Sequence, residues 1–338
     1  MFKFYKILFL NTLMIGTLLS ISSYSWFSMW IGLEINLLSI IPLMKSPGNF
    51  FPSEAALKYF ITQALASSIL MFSIIMIMNM NEFIPQNSNY FMMMVMNSAL
   101  FTKVGAAPFH MWFPEVMEGL NWDNCLILLT WQKLAPMVLI MYNTNMITFF
   151  SLIIIFSSIT GSVLGLNQIS LRKILAYSSI NHIGWMLASM LSSKTIWFIY
   201  FLVYSIINLN IILILKQWNV LYLTQLINML NSNKINKFLF MMNFLSLGGI
   251  PPFLGFFPKW LTLNFLAQNQ FFSLSLILIL TALITLFFYL RLTFSSMILN
   301  MKETIFLKPT DKSSFLSYFT NFLSLTGLGL CASLFSFA

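Results

Sequence analysis

Charged side chains are scarce in this sequence of 338 residues. Asp, Glu, Lys and Arg together make up 7% of it, whereas a soluble domain carries about 25%. Hydrophobic residues reach 59% and the mean hydropathy is +0.86. A soluble globule cannot cover its surface with so few charges, and a disordered chain would be poor in apolar residues. The composition therefore predicts an all-α, polytopic membrane protein.

Cysteine, histidine and nucleotide-binding motifs are also sparse. The two cysteines, Cys125 and Cys331, exclude a disulfide framework and a cysteine-rich metal site. The two histidines, His110 and His182, are too few to favour a bis-histidine haem site. No Gly-rich dinucleotide or P-loop pattern occurs. We therefore expect no cofactor and no metal in this chain, and the net charge of +9 is no argument for nucleic acid, because such an excess sets membrane orientation.

Long apolar runs, by contrast, follow one another along the whole chain. A helix needs roughly 20 mostly apolar residues to cross the hydrocarbon core. The connections are short except for the polar stretches 217–236 and 298–314. The sequence predicts eleven spans: 4–22, 25–44, 56–79, 90–119, 122–143, 146–166, 171–192, 195–216, 237–267, 271–297 and 315–335.

The N-terminus resembles a signal peptide, because Lys3 and Lys6 precede an apolar run. We interpret it as the first span, since further apolar spans follow at once. With the N-terminus retained, the loops on its side receive thirteen of the seventeen basic residues, and the opposite side receives only Lys194. Basic loops face the cytoplasm, so we expect the N-terminus on the cytoplasmic or matrix side and the C-terminus on the other side.

Two of the predicted spans contain both proline and glycine. The fourth includes Lys-Val-Gly-Ala-Ala-Pro-Phe-His at 103–110, and the ninth includes Gly-Gly-Ile-Pro-Pro-Phe-Leu-Gly at 248–255. Proline removes a backbone donor and glycine relaxes the chain, and interrupted helices at membrane depth often mark ion sites. A kink stabilised by neighbouring helices is the alternative. The predicted helix-break residues are Gly105, Pro108, Gly248, Gly249, Pro251 and Pro252.

The two breaks lie five spans apart, so their helices run in opposite directions. This arrangement predicts two five-helix repeats of inverted topology. The first covers 1–145, with its break near 105–108, and the second covers 146–297, with its break near 248–252. Residues 298–338 form a loop and a final span. The two halves show no visible sequence similarity, so the repeat is inferred from topology alone.

Four ionisable residues fall well inside predicted spans, namely Glu34, Lys103, Lys133 and Lys259. Each costs roughly 2.5–3.5 kcal/mol at the bilayer centre and is a functional candidate for that reason. Static ion pairs are the alternative, but one glutamate cannot neutralise three lysines. We therefore predict a proton pathway. His110 follows the first break and His182 lies mid-span, and either is a relay or a packing residue.

Six segments resemble a known family. They are Gly-Leu-Glu-Ile-Asn-Leu at 32–37, Glu-Ala-Ala-Leu-Lys-Tyr-Phe at 54–60, the lysine-containing segment 103–112, Thr-Trp-Gln-Lys-Leu-Ala-Pro at 130–136, Ser-Ser-Ile-Asn-His-Ile-Gly-Trp at 178–185, and the segment 243–260 around the second break. With them, the chain resembles the antiporter-like, proton-translocating membrane subunits of respiratory complex I, in the short form of animal mitochondria. The resemblance runs over nearly the whole length.

The resemblance implies a function and a site. It implies a core subunit that moves protons from the matrix to the intermembrane space, driven by electron transfer elsewhere. Glu34 then pairs with Lys103, Lys133 is the central lysine and Lys259 is the terminal site. NADH, FMN, iron–sulfur clusters and ubiquinone are expected in other subunits. The expected partners are other membrane-arm subunits, accessory subunits and phospholipids such as cardiolipin, with no homo-oligomer, in the mitochondrial inner membrane.

The sequence leaves two other functions open. A stand-alone cation/proton antiporter uses the same broken helices, and a purely structural subunit would fill the membrane arm without pumping. The chain also departs from the long bacterial form of the family, which has three further helices at its start. We expect neighbouring subunits to cover the flank that those helices would occupy.

Overall fold

The computed structural model describes residues 4–45, 50–80, 87–230 and 234–298, together with positions 321, 322, 324 and 327. Within these residues the chain is helical and contains no β-strand, as the composition predicted. The helices are α1 Phe4–Ser22, α2 Trp26–Met44, α3 Phe51–Met80, α4 Asn87–Val104, α5 Trp112–Gly119, α6 Trp122–Leu129, α7 Trp131–Met141, α8 Ile147–Gly165, α9 Leu171–Ser192, α10 Lys194–Trp218, α11 Leu223–Leu230, α12 Lys234–Gly248, α13 Phe256–Gln268 and α14 Phe272–Ile298.

In the described part of the chain, seven segments are long and apolar enough to cross a membrane. They correspond to the first, second, third, fifth, sixth, eighth and tenth predicted spans. The fourth and ninth predicted spans are the broken ones. The seventh, α9, is polar for a span but is buried without interruption from Ser178 to Met190. The predicted span 315–335 falls outside the described residues except at four positions, so the count of eleven stays a prediction.

The chain divides into two compact units, Met1–Ile153 and Ile154–Ala338. In the first, α1 packs along α2, and α3 packs against α2, α4 and α5. In the second, α9, α10, α12, α13 and α14 pack around one another. The unit boundary falls inside α8. These units are defined by packing and do not test the predicted inverted repeats, 1–145 and 146–297, which stay a prediction.

The first break separates α4 from α5. Gly105 has a φ of +83°, which only glycine adopts without strain. The N–H groups of Gly105 and Ala106 both donate to the Phe101 carbonyl, at 2.9 and 3.0 Å, and so end α4. The Trp112 indole N–H donates to the Thr102 carbonyl at 3.1 Å. A side chain of α5 thereby satisfies a carbonyl that the break leaves free.

The second break, between α12 and α13, ends its first helix in the same way. Gly249 has a φ of +81°, and the N–H groups of Gly249 and Ile250 donate to the Leu245 carbonyl at 3.1 and 3.4 Å. Here the freed carbonyl of Gly248 accepts a hydrogen bond from the Lys259 ammonium at 2.8 Å. Both predicted breaks are therefore present, and Gly105 and Gly249 are equivalent positions.

Aligning the chain on these two glycines corrects the expectation that the halves share no similarity. Segments 105–116 and 249–260 then carry glycine, proline, phenylalanine, phenylalanine and proline at matching positions. The similarity was missed because it is confined to the breaks, where backbone geometry restricts the residue type. In this alignment Glu115 occupies the position of Lys259.

Two further features were not predicted. The fifth span is interrupted at Thr130, which separates α6 from α7. The Thr130 hydroxyl and N–H both donate to the Leu126 carbonyl, at 2.7 and 3.0 Å, and a hydroxyl bonded in this way bends helices.

The polar stretch 217–236 contains α11. The Gln225 side chain accepts from the Leu221 N–H at 2.9 Å and so caps the start of α11.

Candidate functional site

Glu34 and Lys103 form the central pair of the first unit. Glu34 lies on α2 and Lys103 in the last turn of α4, just before the first break. The Lys103 Nζ lies 3.9 Å from the Glu34 Oε1, a distance at which opposite charges attract but no direct hydrogen bond forms. The Lys103 side chain is 3% exposed and that of Glu34 is 25% exposed. The expected pair is therefore present as an ion pair, and its acid partner is the more accessible of the two.

A small polar cavity of about 10 Å³ lies beside Lys103, at the lower limit for one water molecule. Gln132 donates to the Asn36 Oδ1 at 2.8 Å, and Gln63 donates to the Lys103 carbonyl at 3.5 Å. All three carboxamides are buried. The cavity is lined by Leu33, Asn36, Leu37, Tyr59, Gln63, Lys103, Gln132 and Pro136. Sequence reasoning missed these amides, although each one interrupts an apolar span.

Lys133 is the most buried of the three lysines. It lies on α7, three residues after the interruption at Thr130, and is 1% exposed. Its Nζ lies 5.7 Å from the centre of the Phe113 ring, within cation–π distance. Its neighbour Gln132 lines the cavity beside Lys103. Lys133 therefore follows, in the sequence, a residue that shares a cavity with Lys103.

His110 and Glu115 lie on either side of the start of α5. His110 is in the first break and is 5% exposed, and its carbonyl accepts from the Phe113 N–H at 3.0 Å. Glu115 accepts a hydrogen bond from the Lys58 ammonium at 2.7 Å, and both side chains are about half exposed. Glu115 is thus paired at the surface with Lys58 on α3.

His182 belongs to a cluster of aromatic side chains in the second unit. Its Nδ1 lies 2.9 Å from the Tyr200 hydroxyl on α10, and its ring centre lies 5.1 Å from that of Tyr204. His182 and the two tyrosines line a second cavity of about 10 Å³, together with Ser246, Gly255 and Pro258 from around the second break. The tyrosines were not predicted as site residues, and nothing in their spacing distinguishes them from packing residues.

Lys259 lies one turn into α13 and reaches back over the second break. It is 6% exposed. Its Nζ donates to the Gly248 carbonyl at 2.8 Å and lies 3.4 Å from the Leu247 carbonyl. The ammonium also lies 5.6 Å from the centre of the Trp185 ring on α9. Lys259 is therefore bound to the carboxyl end of α12 and to an indole.

The structure brings Glu34 and Lys103 together within the first unit, and it places His182 and Lys259 beside the second break in the second unit. The helix-break glycines and prolines lie where they were predicted. Among the described residues, no three His, Cys, Asp or Glu side chains are close enough to hold a metal ion. The chemistry that these side chains offer is proton binding and release.

Residues 23–285 match the family described as "NADH:quinone oxidoreductase/Mrp antiporter, TM". A protein of Anopheles gambiae named NADH-ubiquinone oxidoreductase chain 2 is 49% identical over 97% of both chains. A protein of the same name from Locusta migratoria is 47% identical over 89% of this chain and 88% of its own. A chain of respiratory complex I from Thermus thermophilus, solved with bound aureothin, has a TM-score of 0.86 at 23% identity, with 98% of this chain and 79% of that chain covered. The fold, the match to the family and the identity to the insect proteins agree, and the chain belongs to the NADH:quinone oxidoreductase/Mrp antiporter family of membrane proteins.

Proposed function

We propose that the chain is a core subunit of the membrane arm of NADH:ubiquinone oxidoreductase and that it moves protons across the mitochondrial inner membrane. The observation that carries this proposal is the Glu34–Lys103 ion pair, which lies beside a broken helix. It is supported by the family to which the chain belongs and by the insect proteins named NADH-ubiquinone oxidoreductase chain 2.

In the first unit the ion pair is the proposed switch. Electron transfer in other subunits weakens the attraction between Glu34 and Lys103. Lys103 then becomes a better proton donor, since its buried ammonium loses the charge that stabilises it. The proton leaves by way of the cavity that Gln132 and Asn36 line and passes toward Lys133. His110, buried in the first break, is a further proton-binding group of this unit.

In the second unit His182 and Lys259 are the proposed proton-binding groups. Both lie at the second break, His182 with Tyr200 and Lys259 with the Gly248 carbonyl. Lys259 exchanges its proton with the intermembrane space. The second break itself is part of the site. Its glycine and prolines end α12, and the Gly248 carbonyl at that end accepts a hydrogen bond from the Lys259 ammonium.

The chain supplies no redox chemistry in this proposal. NADH, FMN, iron–sulfur clusters and ubiquinone belong to other subunits, and this chain changes only its protonation. Other membrane-arm subunits, accessory subunits and phospholipids such as cardiolipin cover its exposed apolar faces, on which Leu57, Ile61 and Leu65 of α3 are more than half exposed. The N-terminus faces the matrix and the C-terminus faces the intermembrane space.

The test uses charge-removing variants in the assembled complex. Lys103→Met and Glu34→Gln should each lower the number of protons moved per electron while the complex still assembles. The measurement is vesicle acidification alongside NADH oxidation. Normal ratios in both assembled variants contradict the proposal.

The same preparation of assembled complex distinguishes the proposed function from the two alternatives, a structural subunit and a stand-alone antiporter. A structural subunit predicts that Lys133→Met and Lys259→Met change the yield of assembled complex and leave its turnover intact. A stand-alone antiporter, which the Mrp part of the family favours, predicts that the chain purifies alone or as a homo-oligomer. We expect it to purify with many partners.

A further inference from the structure

The ammonium of Lys259 is buried, and no carboxylate side chain occurs among the residues that the structure describes in the second unit. No Asp or Glu occurs between Asp123 and Glu303, so the helices described around Lys259 carry none. The contacts that the structure gives to its Nζ are the Gly248 carbonyl at 2.8 Å, the Leu247 carbonyl at 3.4 Å and the Trp185 ring at 5.6 Å. Lys103 has Glu34, whereas Lys259 has a helix end and an aromatic ring.

Both contacts favour a cation over a neutral amine. Carbonyl groups at the carboxyl end of a helix carry partial negative charge, and α12 ends at Gly248, so its last carbonyls face the ammonium. The face of an indole is the best aromatic surface for a cation, and the interaction strengthens when both groups are removed from water. Trp185 is 1% exposed and Lys259 is 6% exposed.

Gly249 keeps this position open. A Cβ atom at Gly249 would lie 2.8 Å from the Lys259 Cδ and 3.0 Å from its Nζ. At the equivalent Gly105, the nearest atoms to such a Cβ are those of Phe113 and Trp112 at 3.4 Å. The two breaks share a glycine of positive φ, but only the second holds a lysine side chain against that glycine.

We propose that Trp185 is a positioning residue for Lys259, and that its indole ring, with the end of α12, takes the role that a carboxylate has elsewhere. The ring stabilises the protonated side chain and thereby sets the pH at which Lys259 releases its proton. This inference rests on the proposed proton-pumping function and deepens it at one site.

Other titratable groups on the helices packed against α13 share this environment. None of them carries a negative charge at neutral pH. They are Tyr177 and His182 on α9, Tyr200 and Tyr204 on α10 and Tyr289 on α14, with the basic residues Arg172, Lys173, Lys194, Lys216 and Arg291 toward the ends of these helices and Lys237 on α12. The aromatic contact that the structure shows for the ammonium is Trp185.

The test compares Trp185→Leu and Trp185→Phe with matched variants of Trp197 in the assembled complex. Trp197 is also a buried tryptophan, 4% exposed, but its ring stacks on that of Phe201 at 5.6 Å. The readout is proton pumping as a function of pH, normalised to NADH oxidation and to the amount of assembled complex.

Removing the ring should move the alkaline limb of the pumping profile to lower pH by roughly 0.5–1.5 units, because a less stabilised ammonium loses its proton sooner. Trp185→Phe should give a smaller shift in the same direction, and the Trp197 variants should give none. If Trp185→Leu does not assemble, the Phe variant decides, since it preserves bulk and an aromatic face.

A Lys259→Met variant separates the two proposals. If Lys259→Met pumps normally, the proposed function fails at this site. If Lys259→Met is impaired but the assembled Trp185 variants keep the wild-type profile, the function stands and this inference is overturned. A shift in the Trp197 variants equal to that of the Trp185 variants also overturns it.

Discussion

Lys103 and Glu34 attract each other across 3.9 Å without a direct hydrogen bond. The two charges are therefore close enough to influence each other. They can separate easily, since no direct hydrogen bond has to break. The two residues also differ in burial, because a quarter of the Glu34 side chain is exposed while Lys103 is almost enclosed. A change of charge near Glu34 is thus transmitted to Lys103 with little movement of the helices.

The first prediction concerns the coupling of this pair. Glu34→Gln, Lys103→Met and the double variant should be non-additive, because each single change removes the same interaction. We expect the double variant to pump no more slowly than Lys103→Met alone, with a coupling of about 0.5–3 kcal/mol. The measurement is the pumping rate of assembled complex in vesicles. Strictly additive losses would show that the two residues act independently.

The second prediction concerns the buried amides beside Lys103. Gln132→Leu leaves the Asn36 Oδ1 without its 2.8 Å donor, and an unsatisfied buried group costs about 1–3 kcal/mol. The thermal midpoint of the solubilised complex should therefore fall. Gln168→Leu is the control. It removes an exposed hydrogen bond from Gln168 to the Leu164 carbonyl, and it should change the thermal midpoint little because water can replace that bond. A larger fall with Gln168→Leu would contradict the assignment.

The third prediction concerns His182 and Tyr200. Tyr200→Phe removes the hydroxyl that lies 2.9 Å from the His182 Nδ1 and frees the histidine to change its tautomer or orientation. We expect slower pumping with normal assembly, and a smaller effect of Tyr204→Phe, because the structure places the Tyr204 ring beside the histidine at 5.1 Å. Equal pumping in Tyr200→Phe and the unchanged chain would show that this hydrogen bond has no role in transfer.

The sequence predicted more about the breaks than about what surrounds them. Gly105, Pro108, Gly249 and Pro252 restrict the backbone by themselves, so the positions of both interruptions follow from residue type. The interruption at Thr130 was missed because a threonine hydroxyl bonded to the carbonyl one turn back also occurs inside continuous helices, as at Thr160 in α8, so the residue type alone does not predict a break. Local signals of this kind predict where a helix ends.

The partners of the buried charges depend on tertiary packing and could not be predicted in the same way. The Glu34–Lys103 pair was expected from the family resemblance, but its 3.9 Å separation depends on how α3 packs against both α2 and α4. Trp185 was not predicted as a site residue, since a tryptophan at that spacing is also an ordinary packing residue. Its contact with Lys259 arises because α9 and α13 are neighbours in the second unit.

The fourth prediction compares the two glycines. Gly105→Ala and Gly249→Ala should each destabilise the complex by about 1–2 kcal/mol, because both positions require a left-handed backbone. Gly249→Ala should in addition displace Lys259, since the new Cβ would lie 2.8 Å from the Lys259 Cδ and that flexible side chain yields before the backbone does. The thermal midpoint measures the shared effect and pumping per electron measures the difference. Equal pumping in the two variants would contradict the crowding argument.

The last prediction concerns Glu115 and Lys259, which follow the same Phe-Pro pair ten residues after equivalent glycines. Glu115 is half exposed and bound to Lys58, and exposed ion pairs contribute little because water screens them. Lys259 is buried, so water does not screen the charge of its ammonium. Glu115→Gln should therefore leave pumping near normal while Lys259→Met lowers it several-fold in assembled complex. If Glu115→Gln were the more damaging change, proton uptake would depend on the exposed pair at the first break, and burial of a charge would not be what marks a proton-carrying residue in this chain.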